Sequence, residues 1–145
     1  MRARSVVELR RALIRKGEPA ADVDAAIERL RGAGLLDDAS YARQLARSKA
    51  LGPGQSRRRI AQELARRGVA RDLGDKAIAE VFEDEDVDEK ANIERVARKK
   101  MKTLANLDAL TQRRRLYAFL ARRGYGVDAI GEVVGRLAGV DASAE

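Results

Sequence analysis

The chain has 145 residues, of which 30 are Lys or Arg and 23 are Asp or Glu, giving a net charge of +7 with no Cys and no His. Those absences exclude disulfides, thiolate or imidazole metal sites and every triad that uses imidazole as its base. No apolar run reaches the roughly 18 residues of a membrane span and Met1 to Ser5 lacks a signal-peptide core, so the expected setting is cytoplasmic, with no membrane partner.

Apolar residues recurring at i, i+3, i+4 and i+7, with no sustained strand alternation, predict an all-α chain of eight helices. The first covers 5–16 with Leu9 and Leu13, and the second covers 22–32 with Ile27 and Leu30 before Gly32 and Gly34. Asp37 or Asp38 caps a third helix at 38–50, and Gly52, Pro53 and Gly54 break the chain after it. A fourth helix at 55–67 carries Ile60 and Leu64, and a fifth at 72–82 carries Ile78 and Val81. The acidic stretch 83–89 reads as a solvated turn whose last carboxylates favour the start of a long sixth helix at 88–104. Helices at 108–122, with Leu116 and Leu120, and at 127–138, with Val134 and Leu137, complete the set; Val140 to Glu145 reads as a disordered tail. Gly131 and Gly135 stand inside the last helix and each costs about 1 kcal/mol relative to Ala, so either another helix packs closely there or the end frays.

An apolar-glycine signature occurs three times: Leu9, Leu13, Gly17; Ile60, Leu64, Gly68; Leu116, Leu120, Gly124. The first two copies stay in register further on, where Tyr41, Leu45 and Lys49 match Asn92, Val96 and Lys100 at an offset of 51. Self-similarity of this period implies one supersecondary unit copied and stacked, an elongated, bent array of tandem three-helix, helix-turn-helix-like repeats. The expected division is 1–52 for the first repeat, lacking its first helix, with a linking helix; 53–107 for the second, with the acidic linker and the long basic helix; 108–139 for the third repeat's helix pair; and 140–145 for the tail. Each signature glycine follows a basic pair and suits the left-handed position after a helix C-terminus. The pairs Arg15 with Lys16, Arg66 with Arg67 and Arg122 with Arg123 then lie at the negative end of a helix dipole.

No phosphate loop, dinucleotide fingerprint or nucleophile elbow is present, and the paired carboxylates are not set among apolar residues that would split their pKa values. No enzyme, catalytic residue, metal site or cofactor is expected. Three basic clusters are binding candidates beside Arg66 and Arg67. Arg57, Arg58 and Arg59 open the middle copy's first helix, and Arg113, Arg114 and Arg115 hold the matching register in the third, where the first copy has Val6, Val7 and Glu8. Cations near a helix N-terminus oppose its dipole, so a contact with phosphate or carboxylate is the better reason for them. On the long helix Arg95, Arg98, Lys99 and Lys102 share one face at i, i+3, i+4 and i+7, with Lys100 beside them. Aromatic residues are too sparse for a base-stacking platform. Tyr41 is expected to pack with its hydroxyl at the surface, and Leu116, Phe119 and Leu120 to form core.

In combination the chain resembles the RecX regulatory family. The likeness rests on Arg4-Ser5 with Glu8-Leu9, Ala12-Leu13 and Lys16-Gly17; on Gly34-Leu35-Leu36-Asp37-Asp38 with Tyr41-Ala42; on Arg59-Ile60, Glu63-Leu64 and Arg67-Gly68-Val69; and on Arg98-Lys99-Lys100 with Arg122-Arg123-Gly124-Tyr125. It implies tandem three-helix repeats lying in the groove of the RecA filament on single-stranded DNA, restraining RecA by capping growth or promoting disassembly. The family usually carries one more helix ahead of Arg4-Ser5, where this sequence has only Met1 to Ala3. A monomer with weak, non-specific affinity for bare DNA is expected. Three functions remain: a regulator of recombination filaments, a DNA-binding module acting directly on nucleic acid, and an inert helical scaffold.

Overall fold

A computed structural model describes residues 5–33 and 36–138. The tail expected at Val140 to Glu145, the Gly34-Leu35 part of the family motif and Arg4 lie outside the described residues.

The described residues form α1 (Val6–Arg15), α2 (Ala20–Gly32), α3 (Asp38–Leu51), α4 (Arg57–Arg66), α5 (Arg71–Asp84), α6 (Glu89–Thr103), α7 (Ala109–Arg122) and α8 (Val127–Leu137). Their starts are written in local chemistry. Ser5, Asp37, Ser56, Asp88 and Asp108 each cap a helix by accepting from an N–H of its first turn. Their ends are set by Gly17, Gly68 and Gly124, whose φ values of 90°, 87° and 93° lie in the left-handed region.

Packing groups these helices as α1 with α2, α3 with α4 and α5, and α6 with α7 and α8. Divisions at 52 and 107 therefore cut in the wrong place. The helix read as a linker, α3, and the long basic helix assigned to the second repeat, α6, are the first members of the units that follow them, because each carries the apolar face that the next hairpin needs. Ala42, Ala46 and Ala50 are almost fully buried along α3, and side chains this small let α5 approach closely. With Ile60, Leu64, Val69, Ile78, Val81 and Phe82 they make one core. Ile93, Val96 and Ala97 of α6 do the same with Leu116, Leu120, Tyr125, Ile130 and Val134. In the α1–α2 hairpin only Val23 and Ile27 are buried helix residues. Among the described residues nothing lies within 4 Å of a Cβ added at Gly131 or Gly135, so no described helix packs closely there, yet α8 continues helical past both.

Candidate functional site

Neighbouring units meet at two seams built to one plan, and the glycine turns are part of both. At the first, Ser5 caps α1, accepting from Glu8 N–H while its Oγ donates to the Arg67 carbonyl at the end of α4. Glu8 closes a capping box with Ser5 and receives the Tyr41 hydroxyl at 2.8 Å. Arg67 donates to the Tyr41 hydroxyl at 3.0 Å and to Glu63 at 3.3 Å, and lies 3.9 Å from Glu8, while Lys49 reaches Glu63 at 3.7 Å. Burial pushes the Tyr41 phenol up, and the guanidinium of Arg67 is raised chiefly by its bond to Tyr41. An added Cβ on Gly68 would collide with Val7, so this turn must be glycine both for its φ and for the helix lying on it.

At the second seam Ser56 caps α4, its Oγ donates to the Gly124 carbonyl at 2.8 Å, and its N–H donates to the Arg123 carbonyl at 2.9 Å. A Cβ on Gly124 would collide with Ser56 Oγ and Arg59 Cβ. Tyr125 donates its hydroxyl to the Gly54 carbonyl at 2.6 Å, and burial, helped by Glu89, pushes the phenol to about 12.

The basic candidates divide sharply against this frame. Arg67 is a structural residue of the first seam. Tyr41, expected to reach the surface, is instead 6% exposed, because its hydroxyl bridges Glu8 and Arg67. Arg57 lies over the Phe82 ring at 4.5 Å, and its N–H donates to Glu89 at 2.7 Å. That carboxylate, borrowed from α6, supplies the negative charge that α4's first turn lacks. Arg58 is exposed beside it, between a surface hollow of about 410 Å³ reaching Lys90, Ile93 and Tyr125 and others reaching Ala61 and Asp75. Arg59 is half-buried against Gly124.

Arg113, Arg114 and Arg115 are exposed but do not open their helix. Asp108 caps α7 and the helix starts at Ala109, one turn earlier than the register suggests, so the dipole argument fails for this triplet. The stripe on α6 is interrupted. Arg95 donates to Asn92 at 2.9 Å and Arg98 pairs with Glu94 at 2.8 Å, whereas Lys99 and Lys102 are exposed without an ion pair among the described residues. Glu94 is held below the usual carboxylate range first by Arg136, then by Arg98. Lys100 is half-buried over Phe119 at 5.1 Å, and Arg66 is exposed. In the acidic stretch, Asp88 caps α6, Glu85 pairs with Arg47 at 2.9 Å, and Asp86 turns the chain at φ 51°. Among the described residues no group of three acidic side chains is arranged to hold a metal ion.

Sequence reasoning missed Ser5, Ser56, Glu63 and Asn92. The repeated offset that aligns Ser5 with Ser56 was the available signal.

Comparison with known proteins identifies the architecture. Residues 1–30, 37–78 and 88–134 match the descriptions "RecX, first three-helix domain", "RecX, second three-helix domain" and "RecX, third three-helix domain". The "Regulatory protein RecX" of Amycolatopsis mediterranei is 39% identical over 86% of this chain and 70% of its own length. Its counterpart in Mycobacterium avium is 37% identical over 92% and 76%. A crystal structure of RecX from Lactobacillus salivarius superposes with a TM-score of 0.70 over 94% of this chain and 86% of that one, at 16% identity, so the fold persists where most side chains differ. With three family domains covering the helices in order and regulatory relatives aligned over most of the sequence, this chain belongs to the RecX family of regulatory proteins.

Proposed function

We propose that this chain binds the RecA filament on single-stranded DNA and restrains RecA recombinase, ATPase and coprotease activity, without catalysis of its own, by blocking filament growth or promoting disassembly. Membership of the RecX family carries this reading. At residue level it is supported by the cations that the fold leaves unengaged: Arg58, Arg66, Lys99, Lys102, Arg113 and Arg115 are exposed and make no ion pair among the described residues. Arg57 and Arg95 join them as exposed cations held in place by Phe82 and Asn92. Exposed charge of one sign speeds and steers docking onto a polyanionic or acidic surface and costs the fold little.

The test is RecA-dependent ATP hydrolysis on single-stranded DNA with increasing amounts of this protein, wild type against a variant carrying Arg58→Glu, Lys99→Glu and Lys102→Glu. The wild type inhibits at or below equal amounts, and the variant, with unchanged helicity, inhibits much less. Equal inhibition by both sinks the assignment of these residues. A salt titration on bare duplex separates the alternative, a helical module acting directly on nucleic acid: such a module binds duplex tightly without RecA and with a steep salt dependence.

A further inference from the structure

The two seams occupy the same register, so each shows what the other has changed. Tyr41, Lys49, Glu63 and Arg67 of the first correspond to Asn92, Lys100, Phe119 and Arg123 of the second, and Glu8 corresponds to Arg59. At the first seam the two cations, Lys49 and Arg67, meet two carboxylates, Glu8 and Glu63. At the second both carboxylate positions are lost, one to arginine and one to phenylalanine, while the cations remain.

What is left at the second seam is Lys100 and Arg123 on one aromatic ring, with Arg59 against Gly124. Arg123 stacks on Phe119 at 4.5 Å and Lys100 lies over it at 5.1 Å, so the ring takes the place of Glu63 for both. Nothing takes the place of Glu8. The Nε atoms of Arg59 and Arg123 are buried without a hydrogen-bond partner, as are Gln55 Oε1, next to Ser56 in sequence, and Glu63 Oε2 at the first seam. Both arginines are otherwise partly exposed, and Glu89, in the adjoining hollow, is engaged by the Arg57 N–H. Buried N–H donors of cations are ordinarily paired, and two unpaired ones at one junction require a reason. The arginine also forfeits local stability. Ser5 and Glu8 form a capping box, whereas Ser56 with Arg59 keeps only half of it and places a cation on the positive end of α4.

We propose that the second seam receives a carboxylate side chain from a partner protein, held by Arg59 and Arg123 as Glu8 is held beside Arg67 at the first. The proposal rests on the filament reading above for the identity of that partner. A carboxylate is favoured over a nucleotide because two cations already cover Phe119, leaving it no part as a base-stacking platform, and because at the first seam the arginine matching Arg123, Arg67, meets the carboxylates of Glu8 and Glu63.

Arg59→Glu tests it by restoring from within what the partner is inferred to supply. The variant keeps the fold and melts no lower than wild type. Its affinity for RecA filaments on oligo(dT) falls at least about tenfold, while affinity for bare oligo(dT) changes less than about twofold. In parallel, the Arg59 and Arg123 Nε–H resonances of the wild type are followed while a hexa-glutamate peptide is added, with inorganic phosphate as a matched control. They shift with the peptide, and the Arg123 signal of the variant does not. Unchanged filament affinity beside normal wild-type binding overturns the inference, as does loss of equal size on bare oligo(dT) or an equal response to phosphate. If the wild type fails to bind filaments while the peptide shifts persist, the filament reading falls and the seam assignment stands.

Discussion

The glycine turns provide a measurement of how tightly the units are coupled, because Gly17, Gly68 and Gly124 share one backbone conformation but not one environment. Alanine at any of the three must adopt a left-handed φ, which costs about 1 kcal/mol. At Gly17 nothing among the described residues lies within 4 Å of the new methyl, so that is the whole expected loss. At Gly124 the methyl meets Ser56 Oγ and Arg59 Cβ and approaches the Arg59 backbone nitrogen to 3.1 Å. Relief requires the start of α4 to withdraw, breaking the Ser56 bonds to Gly124 and Arg123, each contributing about 1 kcal/mol. Gly124→Ala is therefore expected to lose about 3 kcal/mol. Gly68→Ala falls between, at about 2 to 3 kcal/mol, since Val7 must move and the Ser5 bond to Arg67 is weakened. Urea unfolding followed by circular dichroism reads all three. Losses equal to within about 0.5 kcal/mol would refute the claim that the turns are docking surfaces as well as helix ends.

Other perturbations isolate single features. Tyr125→Phe removes the bond to the Gly54 carbonyl and is expected to cost about 1 to 3 kcal/mol in the same unfolding assay. Because the folded phenol stays protonated up to about 12, against about 10 in the unfolded chain, its contribution is complete below pH 10 and is lost as pH rises toward 12. Stability curves of wild type and Tyr125→Phe should thus converge across that window, and parallel curves would contradict the burial argument. Arg67→Ala removes one partner each from Glu63 and the Tyr41 hydroxyl, leaving them Lys49 and Glu8, and should lower stability by about 1 to 3 kcal/mol, whereas Arg58→Ala should leave the melting temperature unchanged and weaken filament binding. Gly135→Ala, in an open helical position, should raise stability by up to about 1 kcal/mol; a loss would mean that an unseen neighbour packs there.

Eight helices were legible from apolar periodicity, and their ends from Ser, Asp and Gly, because caps and periodic faces act within a turn or two of chain. The α7 start falls where the sequence placed it, within a residue of 108, and the limit lies in the dipole argument for the arginine triplet. Repeat register aligns Arg113 with Arg57, but Asp108 supplies a cap one turn earlier, and a local hydrogen bond outweighs a family of offsets. Assignment of α3 and α6 failed for a different reason. Both faces of the question, the preceding hairpin and the following one, are equally close in sequence, and only the fit of Ala42, Ala46 and Ala50 against α5 decides between them. Among the basic residues, charge and register singled out Arg58, Lys99 and Lys102, which the structure leaves exposed, yet gave no warning that Arg67 is bound to Tyr41 and Glu63.

What the amino-acid order determined by itself is the helical content, the three-fold repetition, the turn glycines and the kinship with RecX, all of which rest on patterns short enough to be read along the chain. What only the tertiary structure decided is the pairing of units. Ser5 with Arg67 and Ser56 with Gly124 are separated by 62 and 68 residues, and their bonds exist because one helix N-terminus is laid on the next unit's turn. That docking turns the Glu8 to Arg59 difference from a surface substitution into a change of charge inside a seam, a consequence of long-range packing rather than of any local propensity.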